Sequence, residues 1–354
     1  MNWFQRLLYR PFFIQLLHWE YWSFTAVYAP IYIVWIGLCL RARSFFFFAA
    51  ANPRIENGGF LNESKKDIFP LVPIDIQPKT CFFSIPANAD IVLEELRRQG
   101  LQFPLIGKPD IGGRGRGVRA LKDEPDVISY VSTAFLDFHI QEFVSYKNET
   151  GIFYYRFPGE NTGKISGIVR KEFLKVVGDG TSTVKRLLVD NKRAILQLKT
   201  LENSNSTLLD TVLKKGEEYT VVPYGNHARG AAFYDDSRLI DDQLTRMIDD
   251  LCLRIPSFYF GRLDIRYADW EELKHGRQFS IIEVNGAGSE PTHIYDPGHS
   301  IFFAWKEIIR HWYILWKISR KNHRLGFRYL SAKQGIQMFR QDKLISQKLK
   351  AMGT

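Results

Sequence analysis

The chain has 354 residues, 45% hydrophobic and 24% charged, with 27 Phe, 16 Tyr and 8 Trp; that is enough for two or three domains with sizeable cores, and it excludes a disordered or low-complexity protein. Cys39, Cys81 and Cys252 stand far apart, with no CxxC pair and no neighbouring His, which speaks against a disulfide framework, a zinc site or an activated thiol and predicts buried free cysteines in a reducing compartment. The net charge of +10 is the excess of one segment: residues 301–354 carry twelve Lys or Arg against Glu307 and Asp342.

The first 43 residues form an aromatic arm. Residues 24–40 are uncharged, with Trp and Tyr before them and Arg41 and Arg43 after them. This run is at the short edge of what spans a bilayer, and its flanks resemble interfacial anchors. It can span a membrane, lie in the interface, or pack as a buried helix or hairpin broken at Pro30. It begins too late for a cleaved signal peptide and lacks a small-x-small site.

Residues 44–51 read as a strand, and Ser64 caps a helix start with Asp67 three residues on. Residues 70–80 are punctuated by Pro and read as a linker, so 44–80 form a reduced N-terminal α/β segment. A strand at 81–85 follows. Then comes a short helix opened by Asn88 or Asp90 and stopped by Gly100.

The next apolar strand delivers Lys108 to a loop holding Gly112, Gly113, Gly115 and Gly117. Such glycines let backbone N–H groups wrap an anion, and Lys108 can reach a phosphate oxygen. No G-K-[ST] closes the loop, so it is not a Walker loop. Gly115-x-Gly117-x-x-Ala120 fits a Rossmann pattern loosely, but Pro125 cuts short the helix that pattern needs. Arg114, Arg116 and Arg119 also leave an RNA-binding loop open. A strand follows with Gln141 and Glu142 at its polar end, and Glu149 lies seven residues beyond Glu142. Carboxylates there can accept from an adenine amino group or ribose hydroxyls.

Residues 164–177 read as a strand pair that places Lys171 and Lys175 toward a cleft. A turn at Gly178-Asp179-Gly180 and a helix capped by Thr181, Ser182 or Thr183 come next. Asn226, His227, Arg229 and Gly230 form a turn in a β-like region. An amphipathic helix then leads into residues 261–288, GRLDIRYADWEELKHGRQFSIIEVNGAG. This stretch reads as two strands joined by a polar loop. Side chains two apart share a strand face, so Arg262 and Asp264 point together, as do Glu283 and Asn285. Pairing with these faces aligned gathers two carboxylates, an amide and a guanidinium. All-oxygen ligands of that kind suit Mg2+ (or Mn2+).

Taken in order, Lys108 before a glycine loop, Gln141-Glu142 with Glu149, Arg262-x-Asp264 and Glu283-x-Asn285 resemble the ATP-grasp superfamily. The likeness is to its carboxylate–amine ligases, such as D-alanine–D-alanine ligase, glutathione synthetase and cyanophycin synthetase. It covers about residues 65–297. It implies an α+β ATP-grasp fold, two subdomains gripping ATP, over residues 81–300, with the arm (1–43), the reduced segment (44–80) and a basic amphipathic tail (301–354) around it.

The resemblance further implies the residue roles. Lys108 binds phosphate under the Gly112, Gly113, Gly115 and Gly117 loop. Gln141, Glu142, Phe143 and Val144 lie at the adenine and Glu149 at the ribose. Lys171 is a second phosphate-side lysine, and Asp264, Glu283 and Asn285 hold the metal. Arg262 steadies the transferring phosphoryl group. Arg229 and His293 are candidate substrate contacts. The implied reaction joins a carboxylate to an amine through an acyl phosphate, with release of ADP; an ATP-grasp phosphotransferase and a non-catalytic, membrane-associated ATP-binding protein are the alternatives. That chemistry needs positioning and charge neutralisation more than a covalent nucleophile. The sequence departs from the family in its small N-terminal segment, in the long loop of the metal hairpin, and in Glu290, His293 and Asp296 where a glycine or proline turn is usual.

In the tail, Trp305, Ile308, Ile309, Trp312, Leu315 and Trp316 fall at helical spacing beside Lys306, Arg310, Lys317, Arg320 and Lys321. An aromatic face next to a basic one suits an anionic membrane surface, with docking on the protein's own core as the alternative. The aromatics form one packed stripe, so nucleic acid is not expected as a partner. The arm and tail together predict a peripheral enzyme on the inner face of the cytoplasmic membrane, acting on small-molecule, peptide or membrane-linked substrates.

Overall fold

The computed structural model describes residues 10–113, 115–204, 206–222, 225, 227 and 230–351. The arm begins with helix α1 (Pro11–Leu17), carries a short helical stretch Phe24–Tyr28, turns at Ala29–Ile31 and continues as α2 (Tyr32–Ala42). Ser23 caps the middle stretch by accepting from the Ala26 N–H, and Pro30 sits in the break because it cannot donate within a helix.

Four strands form the first sheet: β1 (Thr80–Phe83), β2 (Leu105–Pro109), β3 (Arg119–Leu121) and β4 (Phe138–Glu142), in the order β1-β4-β2-β3. Helices α3 (Ala89–Arg98) and α4 (Glu124–Ser132) back it. Their Val92, Leu93, Leu96, Val127 and Tyr130 pack with Leu105, Phe138 and Ile140. Asn88 caps α3 through its side chain, and Gly100 follows it at φ +68°, as the sequence indicates.

The second sheet has the order β11-β10-β5-β6-β9 and is antiparallel throughout. Its strands are β5 (Asn148–Tyr155), β6 (Lys164–Glu172), β9 (Ala232–Asp235), β10 (Phe260–Tyr267) and β11 (Phe279–Asn285). β7 (Leu174–Val177) and β8 (Glu218–Val222) make a separate ribbon. Strand alternation divides the second sheet. Ile152, Leu263, Ile265 and Ile281 point to α5 (Asp242–Leu253) and bury with its Leu244, Ile248 and Leu251. On the opposite face, Phe153 and Phe260 are covered by α6 (Ile301–Arg324) through Ile314, Leu315 and Ile318. Further along that same face stand Arg262, Asp264, Glu149 and Lys171, which α6 does not reach. They are left facing the first sheet, and that gap is the site.

Residues 44–51 are not a strand. They form a 3-10 turn, Phe47–Ala50. A strand would bury only alternate side chains, whereas the turn buries both Phe47 and Phe48. They pack against Trp35 and Phe60. Residues 70–80 contain 3-10 turns; Val72 and Ile76 enter the core of the second sheet.

The tail's aromatic stripe docks on the protein itself. Ile308, Leu315 and Trp316 are buried, and Trp305 Nε1 donates to the Val27 carbonyl at 2.8 Å. That face is therefore not free for lipid. A last helix, α7 (Ala332–Ala351), returns along the molecule and buries Leu349 beneath Gly112 and Gly117. All three cysteines are buried free thiols.

Candidate active site

The two sheets face one another across a cleft of about 550 Å³. The first sheet presents Ile106 and Lys108 of β2 beside Gln141 of β4, a face fixed by the Ile106↔Gln141 and Lys108↔His139 register. Lys108 is buried. Its Nζ donates to Gln141 Oε1 at 2.9 Å and to the Ile282 carbonyl at 3.3 Å. It therefore bridges the first sheet to β11 of the second. Burial, with Lys65 nearby, pulls the Lys108 ammonium down to about 7. Gln141 is in turn held by Thr80. Glu142, Phe143 and Val144 line the cleft where the chain leaves β4.

The glycine loop runs from β2 to β3. Gly115 and Gly117 adopt φ near +70°, which side chains rarely tolerate. Gly113 has open space where a Cβ would stand, so backbone can approach a ligand there. Arg114 lies outside the described residues. Lys65, which carries no sequence motif, donates its Nζ to the Asp110 and Gly112 carbonyls and so anchors the loop's start. Asp110 accepts from the Lys66 N–H and pairs with buried His139 at 2.9 Å.

On the second sheet, the β10–β11 hairpin pairs with its two polar faces aligned, Arg262 opposite Asn285 and Asp264 opposite Glu283. A short helix, Trp270–Lys274, occupies its loop. Arg262 donates Nε to Asp264 Oδ1 (2.8 Å) and Nη2 to Oδ2 (3.1 Å). Lys171 Nζ reaches Asp264 Oδ2 at 3.1 Å and Glu149 Oε1 at 3.0 Å. Glu149 also pairs with Arg266 at 3.0 Å. These groups form one buried chain of alternating charge. Burial alone would raise the Asp264 carboxyl, but Arg262 and Lys171 hold it below the usual carboxylate range. Burial likewise disfavours the Lys171 charge, yet Asp264 and Glu149 raise it overall.

Among the described residues, no three His, Cys, Asp or Glu side chains are grouped as a metal cluster. The oxygen set is two carboxylates and an amide. Among the described residues, Glu283 and Asn285 make no side-chain hydrogen bond, so the Glu283 carboxylate and the Asn285 Oδ1 are the oxygens that suit a hard divalent cation completing its shell with phosphate oxygens and water.

One expected substrate contact is not at the cleft. His293 is buried, 3.4 Å from Glu307 of α6, and is absent from the cleft lining. Arg229 lies outside the described residues. Lys175 is exposed on β7 and pairs with Glu218. Other groups escaped sequence reading. Glu63 accepts from the Gly286 N–H at 2.5 Å; burial, against the pull of that N–H and with Glu283 nearby, pushes it up to about 7. The arm also enters the site: Glu20, Tyr21, Trp22, Phe24 and Val27 line it. Glu20 is held by Arg193 (3.2 Å) and His227 (3.4 Å).

Gly151 of β5 is the least visible of these. It sits opposite Asp264, and a Cβ there would lie 2.9 Å from Val169, 3.1 Å from Arg262 Cδ and 3.1 Å from Asp264 Oδ1. Gly151→Ala is expected to displace the Arg262–Asp264 pair and slow nucleotide turnover by about 10-fold, with the circular dichroism spectrum unchanged. Wild-type kcat in a folded variant would show that the pair tolerates the shift.

No protein-family model matches the chain, and no curated protein does. Among solved structures, 67% of the chain is similar to part of a bifunctional glutathione synthetase from Pasteurella multocida (13% identity, 34% of that chain, TM-score 0.35). A further likeness covers 70% of the chain and 61% of the VanG D-Ala:D-Ser ligase from Enterococcus faecalis (16% identity, TM-score 0.39). A third covers 74% of the chain and 67% of the D-alanine–D-alanine ligase from Bacillus anthracis (13% identity, TM-score 0.39). The chain thus spans about a third of the first and under two thirds of the second. By their names these proteins are ligases and a synthetase.

Proposed function

We propose that this protein is an ATP-dependent ligase that joins a carboxylate to an amine. One observation carries the reading: Lys108, the glycine loop, the 141–144 segment, Lys171, Arg262, Asp264, Glu283 and Asn285 all converge on one cleft between two sheets. Lys108 and the loop amides hold the phosphates, while Glu142, Phe143 and Val144 flank the adenine. Glu149 keeps Lys171 and Arg266 in place on the ribose side. The substrate carboxylate attacks the γ-phosphorus and ADP leaves, which makes an acyl phosphate. Lys171 and Arg262 offset the charge that builds on the transferring group. A divalent cation held by Asp264, Glu283 and Asn285 would neutralise phosphate oxygens. The amine then displaces phosphate.

The test is ADP release by purified protein with MgATP and pools of amino acids, dipeptides and cell-envelope extracts. Substrate-dependent ADP formation supports the reading, and mass analysis of the product separates ligation from phosphorylation. Absence of nucleotide binding overturns it.

Lys108 gives a second check. With its ammonium near 7 in the free protein, Lys108 is charged below that pH and largely neutral above it. Phosphate favours the charged form, so binding above pH 7 must draw in a proton, and affinity falls as pH rises. Titration calorimetry of a non-hydrolysable ATP analogue at pH 8, in buffers of different ionisation enthalpy, is expected to show uptake of about one proton. Lys108→Met should abolish the uptake.

The proposal includes a membrane-surface location. Its support is the outer face of α2, where Ile33, Ile36 and Leu40 are exposed beside Arg41 and Arg43. The run Phe24–Ala42 is long and apolar enough to cross a membrane, and 28% of it is buried.

A further inference from the structure

The turn after β11 carries a carboxylate that the nucleotide chemistry does not use. Glu290 lines the cleft. Its Oε1 accepts from the Tyr28 hydroxyl at 2.6 Å and from the Tyr295 hydroxyl at 3.2 Å. Among the described residues it has no ion pair within contact distance and Oε2 no hydrogen bond; the Arg262 guanidinium acts on it only through space. The other arm-side carboxylate, Glu20, is by contrast neutralised by Arg193 and His227. Tyr28 is buried, and burial together with Glu290 holds its hydroxyl protonated, so it donates without cancelling charge.

Glu290 is also fixed beside the reacting centre. Arg262 Nη1 donates to its carbonyl at 3.3 Å. The turn before it is pinned, with the Ala287 and Gly288 N–H groups donating to the Gly58 and Gly59 carbonyls. Two residues on, Thr292 also lines the cleft, and its buried Oγ1 has no partner. The arm contributes Tyr21, Trp22, Phe24 and Val27 to the lining of the same cleft.

We propose that this end of the cleft is the amine subsite, and that it takes a primary ammonium with an apolar body. The inference rests on the ligase reading above. A positioned carboxylate with no contacting cation, and a hydroxyl with no hydrogen-bond partner, among the described residues match an ammonium, which brings three donors. The apolar arm takes the rest of the amine. Glu290 accepts one proton from the ammonium and leaves a neutral amine. The amine nitrogen bonds to the acyl carbon, the carbon–oxygen bond to phosphate breaks, and the second proton leaves with the phosphate. The arm thereby supplies, through Tyr28, the group that orients Glu290.

Hydroxylamine separates the two readings, because it is uncharged near neutral pH and traps an acyl phosphate as a hydroxamate without an ammonium site. The full chain is assayed with MgATP and a pool of amino acids and N-acetyl amino acids. The acceptor is hydroxylamine in one arm and phenethylamine, isoamylamine or methylamine in the other. Glu290→Gln is expected to lower amine-dependent relative to hydroxylamine-dependent turnover by about 100-fold. Tyr28→Phe, which keeps the ring, should lower the same ratio by about 10-fold. Both apolar amines should react at lower concentration than methylamine. An unchanged ratio in both variants overturns the amine subsite while leaving the ligase reading intact. Equal use of methylamine overturns the apolar wall. Neither hydroxamate nor amide from wild type overturns the ligase reading itself.

Discussion

Asp264→Asn is expected to lower ADP formation by about 1,000-fold while the fold survives. Asp264 accepts from Arg262 twice and from Lys171 once, and it is the only carboxylate bonded to both cations among the described residues. An amide keeps the size but loses the charge that holds Arg262 and Lys171. It also offers one oxygen where the carboxylate offers two. Lys171 keeps Glu149, so its burial stays compensated. Arg262 loses its counter-ion, and breaking a buried pair from one side costs about 3–5 kcal/mol. Part of that cost is expected here as a lower urea midpoint. Two measurements are needed: turnover at saturating MgATP, and urea unfolding. Wild-type turnover with a lowered midpoint would make the pair structural and remove it from the site. Asp264→Asn that binds nucleotide but does not turn over would place it in the chemical step.

Asn52→Ala is expected to cost roughly 3–4 kcal/mol of stability, read as a lower urea midpoint at unchanged slope. Asn52 is fully buried and makes four hydrogen bonds. Its Nδ2 donates to the Gly58 and Phe260 carbonyls (3.0 and 2.8 Å), and its Oδ1 accepts from the Tyr259 and Phe260 N–H groups (2.8 and 3.0 Å). Alanine strands four backbone groups away from water, which is where the cost arises. The consequence reaches the site. The Gly58–Gly59 stretch that Asn52 holds also accepts from Ala287 and Gly288, so the turn bearing Glu290 should loosen with it. A variant of wild-type stability would mean that water replaces those bonds.

Much of the site was legible because its spacing is local. Strand alternation alone puts Arg262 with Asp264 and Glu283 with Asn285. The hairpin then needs only its register, and the buried Leu263, Ile265 and Ile281 on the other face fix that. Lys108 at a strand end before glycines, and Gln141-Glu142 at the end of another strand, are equally short-range signals. Asn88 and Gly100 bracket their helix through contacts a few residues long.

Other features have no such local signature. Phe45 to Phe48 reads as a strand by composition, yet Trp35, Phe60 and α6 offer apolar surface to two successive rings, and a 3-10 turn buries both. The tail's aromatic stripe satisfies the pattern for a lipid surface and for a protein core equally. Only the apolar half of the second sheet that Phe153 and Phe260 present to α6 decides in favour of the core. Gly151 looks like any strand glycine until Arg262 and Asp264 lie over it. Nothing local in the arm tells that Glu20 meets Arg193 and Tyr28 meets Glu290, across separations of 173 and 262 residues.

The sequence by itself determined the two strand pairs, their polar faces and the order of charged groups along them, because side-chain direction repeats every two residues. Only the tertiary structure decided what closes the cleft and which carboxylates pair with which cations, because burial and ion pairing depend on surfaces brought together from distant parts of the chain.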